Sequence, residues 1–233
     1  MLFDLRGRGR RRTIQVIYLG LAVLMGGGLI FFGIGGNTSG GLFDAFSGNS
    51  GNQSASQVFQ DRLDRLQRRT RTNPQDAQAW ATLAGLRFQI ATTGENYDQT
   101  TQTYTAKGKN ELRRAATAWD RYLSLNPKKP DVSVANQMVQ AFGLTGLQQY
   151  DKAVNALEIV IDQRGPSSGL YAQLAVLAHA AKQDRKSTLA ENKAVELAPK
   201  SQRKDLRQQI QAAKQQLDNA AGAGTPSPQS TTG

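Results

Sequence analysis

Apolar residues recur along this chain in three patterns, and each predicts a different element. Residues 14–34, IQVIYLGLAVLMGGGLIFFGI, form one unbroken apolar run with Gln15 as its only strongly polar side chain. That length, in a segment without charge, predicts a helix able to cross a bilayer, which needs about 20 such residues. Residues 58–69, VFQDRLDRLQRR, instead set Val58, Phe59, Arg62, Leu63 and Leu66 along one side of a helix. Residues 205–217 do the same with Leu206, Ile210, Ala213 and Leu217. These are amphipathic helices with one face to bury. Period-two alternation is poor throughout, so the chain reads as all-helical.

Two segments lack any pattern. Residues 35–57 are mostly Gly, Ser, Asn and Gln, the composition of a flexible linker, with LFDAF as the one apolar island, placed at the membrane interface. Residues 219–233, NAAGAGTPSPQSTTG, read as a disordered tail. The folded part is therefore expected over 58–218.

Within it, helical phrases end in proline: RTRTNPQD at Pro74, RYLSLNPKKPD at Pro127 and KAVELAPKS at Pro199. Proline lacks the backbone donor and disfavours helix in the residue before it. Asp76, Asp131 and Ser201 lie near the starts that follow, where a side-chain oxygen can cap free amides. Pro166 and Pro199 are separated by about one 34-residue unit, and the interval from Pro74 to Pro127 is longer by roughly 19. The excess falls near 94–109, TGENYDQTTQTYTAKG, as a loop or an extension of the second helix.

The recurring phrase resembles the tetratricopeptide repeat, a helix–turn–helix unit of about 34 residues. In the first unit Trp80, Leu83 and Ala84 match the first helix, and Ala115, Trp119, Tyr122 and Pro127 the second; Arg87 replaces the usual tyrosine. In the middle unit Ala153, Leu157 and Val160 match, while Gly165 stands where proline is expected and the first helix, near Val132–Leu144, fits loosely. In the last unit Tyr171, Leu174, Ala175 and Ala178 match, then Ala194 and Pro199; Ser187 takes the alanine position and Glu191 an aromatic one. The resemblance spans about 74–200 and implies an α-solenoid of about three repeats, near 75–127, 131–165 and 167–200. Helices at 58–72 and 201–218 would cover its ends. It also implies a concave groove for a partner polypeptide, carried over onto Gln78, Phe88, Gln89, Met138, Phe142 and His179. Phe88, Met138 and Phe142 are equally readable as core.

Charge changes the picture in two places. The formal charge is +11, and over a third of it lies in residues 1–12, where Arg6, Arg8, Arg10, Arg11 and Arg12 oppose only Asp4. Arginines before an apolar span at 13–34 place the N-terminus in the cytoplasm and residues 35–233 outside. A cleaved signal peptide is the competing reading, disfavoured by the length of the run and the lack of a small-x-small cleavage site. The second place is a pair of basic runs: Arg62, Arg65, Arg68, Arg69 and Arg71, and Lys182, Arg185, Lys186, Lys200, Arg203, Lys204 and Arg207. They suit anionic lipid or an acidic polymer, or are a solvated face. Without a base-stacking aromatic cluster, and with the expected topology, nucleic acid is disfavoured.

Candidate chemistry is sparse. There is no Cys, and His179 is the lone histidine. The one G-x-S-x-G match, GPSSG at 165–169, follows no strand pattern as a nucleophile elbow would, and no G-x-x-x-x-G-K motif occurs. No enzyme activity, cofactor or metal is expected. The expected function is a single-pass, membrane-anchored interaction scaffold or chaperone-like accessory of a bacterial cell envelope. The alternative is a module binding anionic lipid or cell-wall polymer through its basic helices.

Overall fold

The computed structural model describes residues 55–222. Eight α-helices follow one another there: α1 (Ala55–Thr72), α2 (Ala77–Ala91), α3 (Ala106–Ser124), α4 (Val132–Phe142), α5 (Tyr150–Arg164), α6 (Ser168–Ala180), α7 (Asp184–Leu197) and α8 (Arg203–Gly222). The arm at 1–12, the expected span at 13–34, and nearly all of the linker and tail lie outside the described residues. Among the described helices none is long and apolar enough to cross a membrane.

The helix ends follow from local chemistry. Asp76 accepts from the Ala79 amide at 2.9 Å and Asp131 from the Val134 amide at 3.0 Å, so both cap the helices they precede. Thr105 and Ser167 cap α3 and α6 in the same way. Ser201 does not: it lies in a 3₁₀ turn over Lys200–Gln202, and α8 starts beyond it. The neighbouring Arg203 instead reaches back, donating to the Ala198 carbonyl at 3.1 Å and the Glu196 carbonyl at 2.8 Å. These are carbonyls that the end of α7 leaves free. Before Pro127, Asn126 turns left-handed at φ 49°. Gly165, where proline was expected, ends α5 at φ 87° and ψ 166°, a conformation open in practice only to glycine.

The helices pack as successive pairs, α2 with α3, α4 with α5, and α6 with α7. The substantial contacts are between helices one or two positions apart in the chain. Helix α1 packs on α2, and α8 on α6 and α7. The largest fully buried side chains are Phe142, Leu112, Met138, Leu157, Val154 and Val160, so α4 and α5 supply most of the deepest packing. Of the residues assigned to repeat packing, Leu83, Ala84, Ala115, Trp119, Tyr122, Ala153, Leu157, Leu174, Ala175 and Ala194 are buried. Trp80, Pro127 and Tyr171 are half-buried, and Pro199 is exposed. The Tyr122 hydroxyl accepts from the Asp131 amide at 2.8 Å, tying the end of the first pair to the start of the second.

Most of the 94–109 stretch is neither an open loop nor more helix, although its last four residues, 106–109, open α3. It forms a 3₁₀ turn, Gly94–Asn96, and a small antiparallel hairpin, β1 (Tyr97–Asp98) with β2 (Thr103–Tyr104). Asp98 accepts from the Thr100 and Thr101 amides at the tip, and Gln102 supplies the left-handed residue at φ 53°. The Tyr97 and Tyr104 rings meet edge-to-face at 5.1 Å. Burial, with Tyr97 alongside, pushes the Tyr104 phenol up to about 12.

Candidate functional site

Helical geometry divides α2 and α4 into a packed side and an open side. At about 100° per residue, Gln78, Thr82, Gly85 and Gln89 share one stripe of α2, and Ser133, Asn136, Gln137 and Gln140 one stripe of α4. Gln78 and Ser133 are exposed; Thr82, Gln89, Asn136, Gln137 and Gln140 are half-buried. The two stripes adjoin. A Cβ on Gly85 would lie 3.0 Å from Gln137 Oε1 and 3.5 Å from the Val134 side chain, so the absence of a side chain at 85 lets α4 seat there.

This side is chemically uniform. Helices α2, α4 and α6 carry only Arg87 and His179 among titratable side chains other than tyrosine. Arg87 is buried and spent internally: it donates to Glu111 of α3 at 2.6 Å, and Glu111 also accepts from Arg114 at 2.7 Å. Helices α1, α3, α5, α7 and α8 carry the other helical charges. Lys152 of α5 reaches Asp120 of α3 at 2.6 Å, and Lys186 of α7 reaches Glu158 of α5 at 2.6 Å, so ion pairs join one helix pair to the next. What α2 and α4 present is carboxamide. The side chains of Gln78, Gln89, Asn136, Gln137 and Gln140 have no hydrogen-bond partner among the described residues. The Gln137 carbonyl oxygen is both buried and unpaired.

The residues carried over as groove candidates divide accordingly. Gln78 and Gln89 lie on the open stripe of α2. Phe88, Met138 and Phe142 do not: they are 7%, 0% and 0% exposed, and belong to the core. The α4 register explains the last two. Met138 is one residue, and hence about 100°, past Gln137, which turns it away from the open side. Phe142 also has Lys152 Nζ over its ring, 5.6 Å from the centroid. His179 faces α8 rather than an open groove, with Nε2 at 2.9 Å from Asp218 Oδ1. That carboxylate is distant in sequence and comes close only because α8 packs on α6.

A second polar centre lies where α8 meets the last pair. A cleft of about 360 Å³ is lined by His179, Ser187, Glu191, Gln211, Lys214 and Asp218, among others. Glu191 and Lys214 are buried there, with Lys214 Nζ 2.8 Å from Glu191 Oε2. Gln211 Nε2 donates to both carboxylate oxygens, at 2.9 and 2.8 Å. Burial pushes the Glu191 carboxyl up, but the hydrogen bonds from Lys214 and Gln211 and the charges of Lys214 and Arg207 outweigh it. The group is held below the ordinary carboxylate range. Ser187 is also satisfied, donating to the Ala175 carbonyl at 2.8 Å. Among the described residues no group of three or more His, Asp or Glu side chains is placed to hold a metal. Protein-family models, curated proteins and solved structures give no match to the chain.

Proposed function

We propose that the chain is a tetratricopeptide-type interaction scaffold or chaperone-like accessory factor of a bacterial cell envelope. In this reading, residues 13–34 anchor it, the N-terminus is cytoplasmic, the helical domain stands outside, and the open side of α2 and α4 receives a partner polypeptide. One observation carries the binding part. The helices form an open-ended stack, in which the outer helices pair their charges with one another while α2 and α4 leave a row of amides unpartnered. Hydrogen-bonding groups held on rigid elements and left unmatched are what a partner surface offers.

The test is site-specific photocrosslinking in the native membrane. A photoreactive amino acid at Gln89 or Gln140 should yield adducts with a polypeptide. The same probe at the exposed outer positions Thr117 or Asn155 should yield few. Adducts at the outer positions alone, or at none of the four, overturn the reading. Protease added outside cells stripped of any outer layer should digest the helical domain; protection would reverse the topology.

A specific observation favours the anionic-surface reading as runner-up. On α1, Arg69 pairs with Asp76 at 2.6 Å, whereas Arg62, Arg65, Arg68 and Arg71 have no carboxylate partner among the described residues. Binding to phosphatidylglycerol vesicles that collapses between low and high salt would support it.

A further inference from the structure

We infer that the proline-bearing end of the helical stack docks on an anionic bilayer surface, through Arg71, Lys128, Lys129, Arg164, Lys200 and Lys204. The inference rests on the anchor proposed above, which holds the domain at a membrane, and carries the anionic-surface reading from α1 to one whole end of the stack.

The topology gathers these residues. Short turns join most of the helices, so neighbours run antiparallel and alternate turns fall at the same end. The longer α2–α3 connection does not alter this, because Arg121, in the last turn of α3, donates to the Pro74 carbonyl just before α2 at 3.4 Å. The turns at 73–76, 125–131, 165–167 and 198–202 therefore share one end. Every proline of residues 55–222 stands in one of them, at 74, 127, 130, 166 and 199. The remaining turns meet at the other end, where Gln183 donates to Asp151 in the first turn of α5 at 2.7 Å.

Each turn of the proline end carries free positive charge. The six side chains are exposed and have no hydrogen-bond or carboxylate partner among the described residues. The carboxylates there are largely occupied. Asp76 and Asp131 cap α2 and α4, and Glu196 accepts from Lys193 at 3.0 Å. Asp162 and Asp205 offset only two of the six cations. Helix dipoles account for Arg71 and Arg164, since a cation is favoured in the last turn of a helix. They do not account for Lys200 and Lys204, which flank the start of α8, where a cation is disfavoured. At the opposite end carboxylates answer the cations: Glu95 pairs with Lys107 at 2.6 Å, Asp218 lies 4.0 Å from Lys182, and Asp184 stands beside Arg185.

Two observations favour a bilayer as the occupant. The cations come from four separate turns, spread across an end of the stack rather than gathered in one cleft, which suits a plane of mobile headgroups. The tether also allows it. By its composition the 20-residue stretch 35–54 reaches about 25 Å on average. Helix α1 starts at the opposite end and, with 18 residues, is about 27 Å long. The proline end can therefore turn to the membrane without stretching the chain. A surface held permanently within reach needs only a modest gain from each cation.

The test reconstitutes the full chain into nanodiscs of phosphatidylglycerol or of phosphatidylcholine. A fluorescent donor is attached at Ser201→Cys or, at the opposite end, at Thr100→Cys; the chain has no cysteine of its own. Energy transfer to a headgroup acceptor reports which end lies at the surface. In phosphatidylglycerol it should be high from position 201 and low from position 100. In phosphatidylcholine, or in high salt, the difference should vanish. Lys128→Glu with Lys204→Glu should lower the ratio of docked to free domain about thirtyfold or more, since each cation lost is about fivefold and each reversal adds repulsion. Lys109→Glu with Arg185→Glu changes the net charge equally at the other end and should have little effect. Equal transfer from both ends, indifference to the Lys128 and Lys204 reversal, or an equal response to the control pair overturns the inference. So does a response of the 201 label to free poly-glutamate in phosphatidylcholine discs as large as that to phosphatidylglycerol, which would assign this end to an acidic polypeptide. A chain that does not enter the discs overturns the anchor and the inference with it; a chain that enters and does not dock overturns the docking alone.

Discussion

Arg87, Ser187 and Glu191 are buried, and each has a partner that satisfies it: Glu111, the Ala175 carbonyl, and Lys214 with Gln211. All three stand where the repeat phrase asks for an aromatic or small residue. The departures were legible in the sequence. Their partners were not, because Glu111 lies across an insertion and Lys214 on a helix outside the repeats. Glu191→Gln should be costly for this reason. It leaves the Lys214 ammonium buried without its counter-charge, a loss of about 3–5 kcal/mol by analogy with broken buried pairs. Glu191→Leu with Lys214→Met removes both charges and should restore most of the loss, or exceed it. Thermal unfolding of the full chain in detergent measures both. The pH dependence has a definite sign. The folded Glu191 carboxyl is held below its ordinary value, so the unfolded chain binds that proton first. Its stabilisation is complete above the ordinary carboxylate pKa and is lost as pH falls through the depressed one. The unfolding midpoint should drop on acidification in the native protein, and more shallowly in the Leu/Met double variant.

At the scale of elements, the ends of helices were the most legible feature and the hairpin the least. Proline and Asp act locally, within one turn, so Pro74, Asp76, Asp131 and Pro127 mark boundaries from sequence alone. Asp76 adds an ion pair to its cap: the Ala79 amide first, and then Arg69, lower its carboxyl. Asp76→Ala should cost roughly 0.5–2 kcal/mol, read from chemical denaturation, and Asp76→Asn clearly less. The 97–104 hairpin escaped because strands of two residues have no period to detect. What holds it is contact rather than pattern. A Cβ on Gly108, in the first turn of α3, would overlap the Asn96 carbonyl, and Asn96 in turn donates to the Ile90 carbonyl at 2.9 Å. Gly108→Ala must push backbone from backbone, with an expected cost of about 1–3 kcal/mol. If the hairpin is a separable decoration, the change will instead be close to neutral. The α4 register was the other loss. The hydrophobic pattern itself is clear, with Val134, Ala135, Met138, Val139, Ala141 and Phe142 on one face and Asn136, Gln137 and Gln140 on the opposite one; the loose fit of the repeat phrase there is what carried Met138 and Phe142 onto the groove.

Across the helical domain as a whole, coupling should run along the stack. Substantial packing joins only helices one or two positions apart, so a perturbation at one end has no direct path to the other. Stability in such an array is a sum of helix-pair and neighbour contributions, and ends can open while the middle holds. The end at α8 is fastened by polar groups, Glu191 to Lys214 and His179 to Asp218, as well as by Ile210, which is 2% exposed. The other end, α1 on α2, uses Leu63, Phe59 and Leu66. Amide hydrogen exchange in Glu191→Gln tests the difference between a stack and a single cooperative globule. In a stack, protection should fall about tenfold or more in α7 and α8, less in α6, and within about twofold of the parent in α2 to α4. The outer Lys–carboxylate pairs joining α3, α5 and α7 are too exposed to change this, since such pairs contribute about 0–1 kcal/mol each and less in salt. Uniform loss of protection from α1 to α8 would mean that the helices share one core. The open face of α2 and α4 would then be a surface of that core, able to deform when its far end is disturbed. Graded loss would mean that the amide row keeps its geometry while the α8 end opens and closes, as a preorganised binding surface requires.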